Sequence, residues 1–260
     1  MNQVPGDEGR VQRVLDLMTE AGRTIQQLTP EGAQPPLSKG EELVAALHFG
    51  CVGLCKYMFL LLNDYLSEEA RILSRTLMYD TITLVYFQGK RRDLEALAMR
   101  FVYSSIREEI GMWRSGIALG WSDYEQQLSV TERHRDELRA IARSEGLALQ
   151  PLPSAEQMLK DMGQGSAHIL IERAHRSVHT SRFSLAARVD ESEEGQVRFR
   201  VTGVPDEIVR VGALAIEMHM AEASATAHIL NWPTAQELLE VQTDVRARLA
   251  TLFPANSANE

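Results

Sequence analysis

From Leu43 to Leu62 the chain is apolar nearly all the way round a helical wheel, broken only by His48 and Lys56. A helix with no polar face belongs in a large core or in lipid. The run Cys51 to Leu62 is interrupted by Lys56 and is too short to span a bilayer, so the segment reads as the central helix of a bundle. Its expected extent is about Lys39 to Leu66, and Ser38 with Glu41 has the spacing of a capping box at its start.

Helical periodicity continues on both sides. Val11, Val14, Leu15, Met18 and Ile25 keep one face apolar from about Arg10 to Leu28. Ser67 restarts a helix that ends near Gly89, and another runs from Asp93 to about Leu119, where Gly111, Gly116 and Gly120 blur the end. A charged, surface-like helix follows to about Glu145, and a short one spans Ser154 to Met162. Pro205 and Asp206 open a long helix to Asn231, and Thr234 opens the last. Only Gln196 to Val201 alternates apolar and basic residues. The expected fold is all-α, a multi-helix bundle with one short β-strand or hairpin near 196–203. Residues 1–9 and 254–260 are polar and expected to be disordered, leaving 10–253 as a single helical domain.

A formal net charge of −9 argues against charge-driven binding to nucleic acid over the whole surface, though it permits a local basic patch. Cys51 and Cys55 stack on one helical face, where a disulfide fits poorly, and read as buried free thiols. With no secretion signal at the N-terminus, a reduced, cytoplasmic setting is expected.

The densest candidate chemistry lies at 166–181. On a helix, His168, Glu172, His175 and His179 fall within about 60° of arc, beside a core-facing stripe of Ala167, Leu170, Ile171, Ala174 and Val178. His168, Glu172 and His175 are the candidate metal ligands, the Glu172 to His175 spacing being one that di-metal bundles use. Glu217 with His219, and Glu222 with His228, have the wrong spacing to complete such a set. Packing and hydrogen bonding at the core edge is the alternative for these side chains. His48, Cys51 and Cys55 share a face, but three ligands among apolar neighbours read as packing. Arg71, Arg75 and Tyr79 line up on the third helix with Asp80 beside them, a pattern expected to form ion pairs between helices. There is no Walker loop, no Gly-x-Ser-x-Gly elbow, no His-Glu-x-x-His and no Cys-x-x-Cys.

Two resemblances add expectations. Arg75-Thr76-Leu77-Met78-Tyr79-Asp80 and Ala174-His175-Arg176-Ser177-Val178-His179-Thr180-Ser181 resemble, in order and separation, two stretches of the domain of unknown function 5677 family, uncharacterised helical proteins of bacteria. Tyr79 departs from it by standing at an acidic position, and Thr180 by replacing a proline. The likeness covers about residues 40–230 and implies no activity. Arg173 and His179 are similar to the Arg-x(4–6)-His signature of HEPN domains, many of which are metal-independent ribonucleases. That likeness implies a ribonuclease or defence toxin in which His179 moves the proton and Arg173 or Arg176 contacts phosphate; with the residues drawn from the other resemblance, the candidate catalytic set is Arg173, His175, Ser177, His179 and Arg75. The expected partners are RNA or protein, the expected assembly is a homodimer, and no membrane and no cofactor are expected. A non-catalytic helical interaction module and a metal-binding bundle stand as alternatives.

Overall fold

The computed structural model describes residues 7–31, 36–165, 189–191, 197–199 and 204–253. The architecture is all-α. Eight helices occur among the described residues: α1 (Asp7–Leu28), α2 (Lys39–Asn63), α3 (Ser67–Gly89), α4 (Leu94–Ala118), α5 (Tyr124–Ser144), α6 (Ala155–Asp161), α7 (Pro205–Ile229) and α8 (Ala235–Ala250). Strands β1 (Val189–Glu191) and β2 (Val197–Phe199) pair antiparallel, with Asp190 opposite Arg198. Three residues a strand build no sheet layer, so the strand or hairpin read at 196–203 is no part of the architecture.

The chain divides into two compact units. The first comprises 1–33, 44–89 and 155–260, and the second 34–43 and 90–154.

In the first unit the central helix is α7, which packs against α1, α3 and α8. The sequence supports this through small residues: Gly212, Ala213, Ala215, Ala223, Ala225 and Ala227 are all buried and let neighbouring backbones approach. A Cβ on Gly212 would stand 3.0 Å from Val14 Cγ2, so α1 closes on α7 only because that side chain is missing. The ends of α7 are set by local chemistry. Val204 is extended ahead of Pro205, Asp206 and Glu207 place negative charge in the first turn, and Asn231 takes the left-handed conformation (φ 53°) just past the end.

The expectation that α2 is the buried centre is corrected. Phe49 is 64% and Tyr57 62% exposed, and Leu60 is also exposed, while Val44, Cys51, Met58 and Leu62 face inward. An all-round apolar sequence needs neighbours on every side to disappear from solvent, and α2 has them on one side only. The expectation that this segment is too short to span a bilayer is also corrected: by length and composition alone, Lys39–Asn63 is long and apolar enough to cross a membrane, and only 28% of its most apolar stretch is buried. The helix begins at Lys39, one residue after the Ser38 of its capping box: Ser38 N donates to Glu41 Oε2 (2.9 Å) and Glu41 N to Ser38 Oγ (3.2 Å). The first helix, α1, opens at Asp7, ahead of the Arg10 start that periodicity suggests.

The second unit is built on the helical pair α4 and α5. Trp113, Trp121 and Tyr124 pack edge to face at the turn between them, with ring centroids 4.8 and 5.3 Å apart. Trp113 Nε1 donates to Thr131 Oγ1 (3.2 Å). Gly116, which blurred the helix end in the sequence, is the seat of this cluster: a Cβ there would lie 2.2 Å from Tyr124 Cδ2. The helix therefore runs through Gly111 and Gly116 to Ala118, and Gly120 (φ 90°) makes the turn.

Candidate functional site

Within the first unit, three polar side chains meet where the sequence offers apolar ones almost everywhere else. His48 projects from α2 and is 1% exposed, and His219 and Glu222 lie one turn apart on α7 at 6% and 0%. The carboxylate of Glu222 holds both rings: its Oε2 is 2.9 Å from His48 Nδ1, and its Oε1 is 2.8 Å from His219 Nδ1. An ionised carboxylate out of water is costly unless its lone pairs are occupied, and here each oxygen accepts one Nδ1–H. The same two bonds fix the imidazoles. With Nδ1–H committed to the carboxylate, an imidazole in its neutral form keeps Nε2 as an acceptor able to take a proton. Trp232 packs edge-on against His48 at 5.3 Å and limits its rotation.

The charge of Glu222 reaches its neighbours. Burial, with a further push from Glu222, raises the Asp80 carboxyl on α3 from its ordinary value of 3.8 to about 6. Burial also drives the thiols of Cys51 and Cys55 far up, again reinforced by Glu222, so both stay protonated and unreactive. Both are free and buried, as their spacing implied.

The two histidines line one wall of a cavity of about 650 Å³ between α1, α2 and α7. Met18, Ile25, Phe49, Val52, Phe59 and Ile216 make the rest of the lining largely apolar. Arg23, Glu31 and Lys56 are exposed and bring charge to its solvent side. This accounts for the exposure of Phe49 and Val52 on α2, which face the cavity. A volume of this size falls in the range of small-molecule sites, about 300–1,000 Å³.

Residues 41–196, more than half of the chain, match the family of unknown function (DUF5677). The chain belongs to the DUF5677 family. No curated protein matches this DUF5677 chain, and no solved structure does. The matched region contains His48 and ends before α7, short of the residue 230 that the resemblance suggested, so His219 and Glu222 lie beyond it.

The residues singled out from sequence divide into two groups. His168, Glu172, Arg173, His175, Ser177 and His179 lie outside the described residues, as does the helix expected to carry them. Arg75 is described: its guanidinium sits over the Tyr79 ring, 5.8 Å from the centroid. Arg71 makes the interhelical ion pair that its position implied, to Glu207 at the start of α7, and a second pair within α3 to Glu68 (3.3 Å), while Ser67 Oγ donates to Glu207 Oε2 (3.1 Å). Among the described residues no group of three or more His, Cys, Asp and Glu is arranged to hold a metal ion. His48 is turned to Glu222, away from any set shared with Cys51 and Cys55.

Sequence reasoning missed the triad for a definable reason. Spacing along the sequence sets Glu222 against His228, with five residues between them, and His219 against Glu217. In the structure His228 is exposed and Glu217 pairs with Arg246 (2.9 Å). The productive pair is His219 with Glu222, a His-x-x-Glu spacing that puts both on one face of α7. Two ionisable residues on the buried face of an Ala- and Ile-rich helix were the available signal.

Proposed function

We propose that the α1, α2 and α7 body binds a small, mainly apolar molecule carrying one hydrogen-bond donor, which it presents to a histidine base. The observation that supports this reading is the buried Glu222 carboxylate orienting two imidazoles into the wall of a largely apolar cavity of about 650 Å³. Apolar lining supplies the affinity through burial, at roughly 25 cal/mol per Å² of surface removed from water. The Nε2 acceptors supply orientation, and a hydroxyl placed against one of them is also placed for proton transfer.

A phenol with an apolar body, 2-naphthol, is a suitable probe. Gly22 lines the cavity, and a Cβ added there meets no neighbouring atom within 4 Å, so the ring of Gly22→Phe is expected to occupy the cavity. Titration calorimetry is expected to show saturable binding of 2-naphthol to the wild type and its loss in Gly22→Phe. Equal binding by both, or none by the wild type at millimolar probe, overturns the reading.

A second reading keeps the ribonuclease expectation and is supported by the spacing of Arg173 and His179 alone. In it His179 transfers the proton, Arg173 bonds the scissile phosphate, and a second copy of the chain completes the site. RNA cleavage by the purified protein, abolished in His179→Ala with the helical content unchanged, is the outcome this reading requires; cleavage undiminished in that variant removes it.

A further inference from the structure

The second unit carries a concentration of arginine that the activity above does not use. Arg107 and Arg114 on α4, and Arg135 and Arg139 on α5, line one concavity of about 230 Å³. No carboxylate lines it among the described residues; Tyr103, Ile110 and Gly111 complete the wall. The spacing explains the convergence. Residues 103, 107, 110, 111 and 114 recur on one face of α4, and Arg135 and Arg139 are one turn apart on the facing helix.

Carboxylates hold three of the four guanidiniums, or an aromatic does, without cancelling their charge. Arg114 bonds Glu132 (2.7 Å), Arg135 bonds Asp136 (2.9 Å), and Arg139 donates to Tyr103 Oη (2.9 Å) while its guanidinium sits 5.6 Å from that ring's centroid. Each guanidinium has five N–H donors, so these bonds orient the groups and leave donors free. Arg107 is exposed and has no ion pair among the described residues. Four cations against the two carboxylates they bond leave the concavity with two uncompensated positive charges, on a chain whose overall charge is −9.

We propose that this concavity is a binding site for a phosphate group. A dianion matches the uncompensated charge, and its tetrahedral oxygens accept from guanidiniums approaching from two helices, a geometry to which the planar fork of arginine is suited. The volume lies below that of whole-cofactor pockets and suits a single anionic head group. Gly111 supports the assignment. Glycine inside a helix costs about 1 kcal/mol relative to alanine, and a Cβ here would meet nothing within 4 Å, so packing does not require the glycine; its absent side chain keeps the concavity open.

Free inorganic phosphate and the phosphomonoester of a small molecule offer the same chemistry. Titration calorimetry of the full chain at low ionic strength, with inorganic phosphate in one arm and glycerol 3-phosphate in the other, distinguishes them: saturable binding in either arm is expected, and the tighter arm names the source. Arg107→Gln, which removes a guanidinium that makes no ion pair, is expected to weaken binding about tenfold. Gly111→Leu keeps every charge, raises helix propensity and blocks the concavity, and is expected to abolish binding with the thermal midpoint unchanged or higher. No saturable binding by the wild type at millimolar ligand, or wild-type affinity in Gly111→Leu, overturns the proposal.

Discussion

Replacing Glu222 with alanine is expected to destabilise the protein by about 3–5 kcal/mol, the range for removing one partner of a buried charged network. The carboxylate is fully buried and bonded to both His48 and His219. Its loss strands two Nδ1–H donors, on rings that are 1% and 6% exposed, and opens a void between them. Urea unfolding at neutral pH measures the loss directly. Glu222→Gln refines the test. Glutamine offers one acceptor oxygen and one NH2, so one imidazole must turn its other tautomer to the NH2, and the expected cost is smaller. A loss within about 0.5 kcal/mol for Glu222→Ala, the level of an ordinary surface substitution, would mean that the two hydrogen bonds contribute nothing.

Replacing Asp80 with asparagine is expected to do the opposite, and only above mildly acidic pH. Burial and the neighbouring Glu222 hold the native carboxyl at about 6 against an ordinary 3.8. The folded state therefore binds this proton more tightly than the unfolded state, and stability falls as pH rises from about 4 through 6. Above that window the native fold carries a desolvated charge. Two pH units correspond to about 3 kcal/mol, and partial solvent access reduces the expected gain to about 1–3 kcal/mol. Urea midpoints should coincide for wild type and Asp80→Asn near pH 4 and separate, variant higher, near pH 8. Part of the gain should disappear in a Glu222→Gln background, because Glu222 contributes to the shift. A gain independent of pH would assign the effect to packing.

The helices were legible because apolar periodicity and end signals are local. Ser38 with Glu41, Pro205 and Asn231 each act within a turn of their own position, and the structure uses all three as the sequence implied. Burial was less legible. The apolar run in α2 drew the centre of the bundle to itself, yet what decides the centre is how closely neighbours approach, and the alanines and Gly212 of α7 allow the closest approach. Arg71 shows the same division between local and distant information: an interhelical carboxylate partner was expected, but its identity as Glu207, far along the chain, is a tertiary fact. The candidate site follows the pattern. His48 was visible as part of a face with Cys51 and Cys55, and its actual partner is 174 residues away. The His219 and Glu222 pair was readable in principle, since i and i+3 share a helical face.

The central claim is that Glu222 fixes both imidazoles as Nδ1–H tautomers facing a ligand cavity. Nitrogen-15 NMR of histidine-labelled protein, with the two signals assigned through His48→Gln and His219→Gln, tests it most directly. The account predicts a protonated Nδ1 on both rings and a shift of their Nε2 resonances as 2-naphthol is added. An unprotonated Nδ1 on either ring, or Nε2 resonances indifferent to the probe, would contradict it.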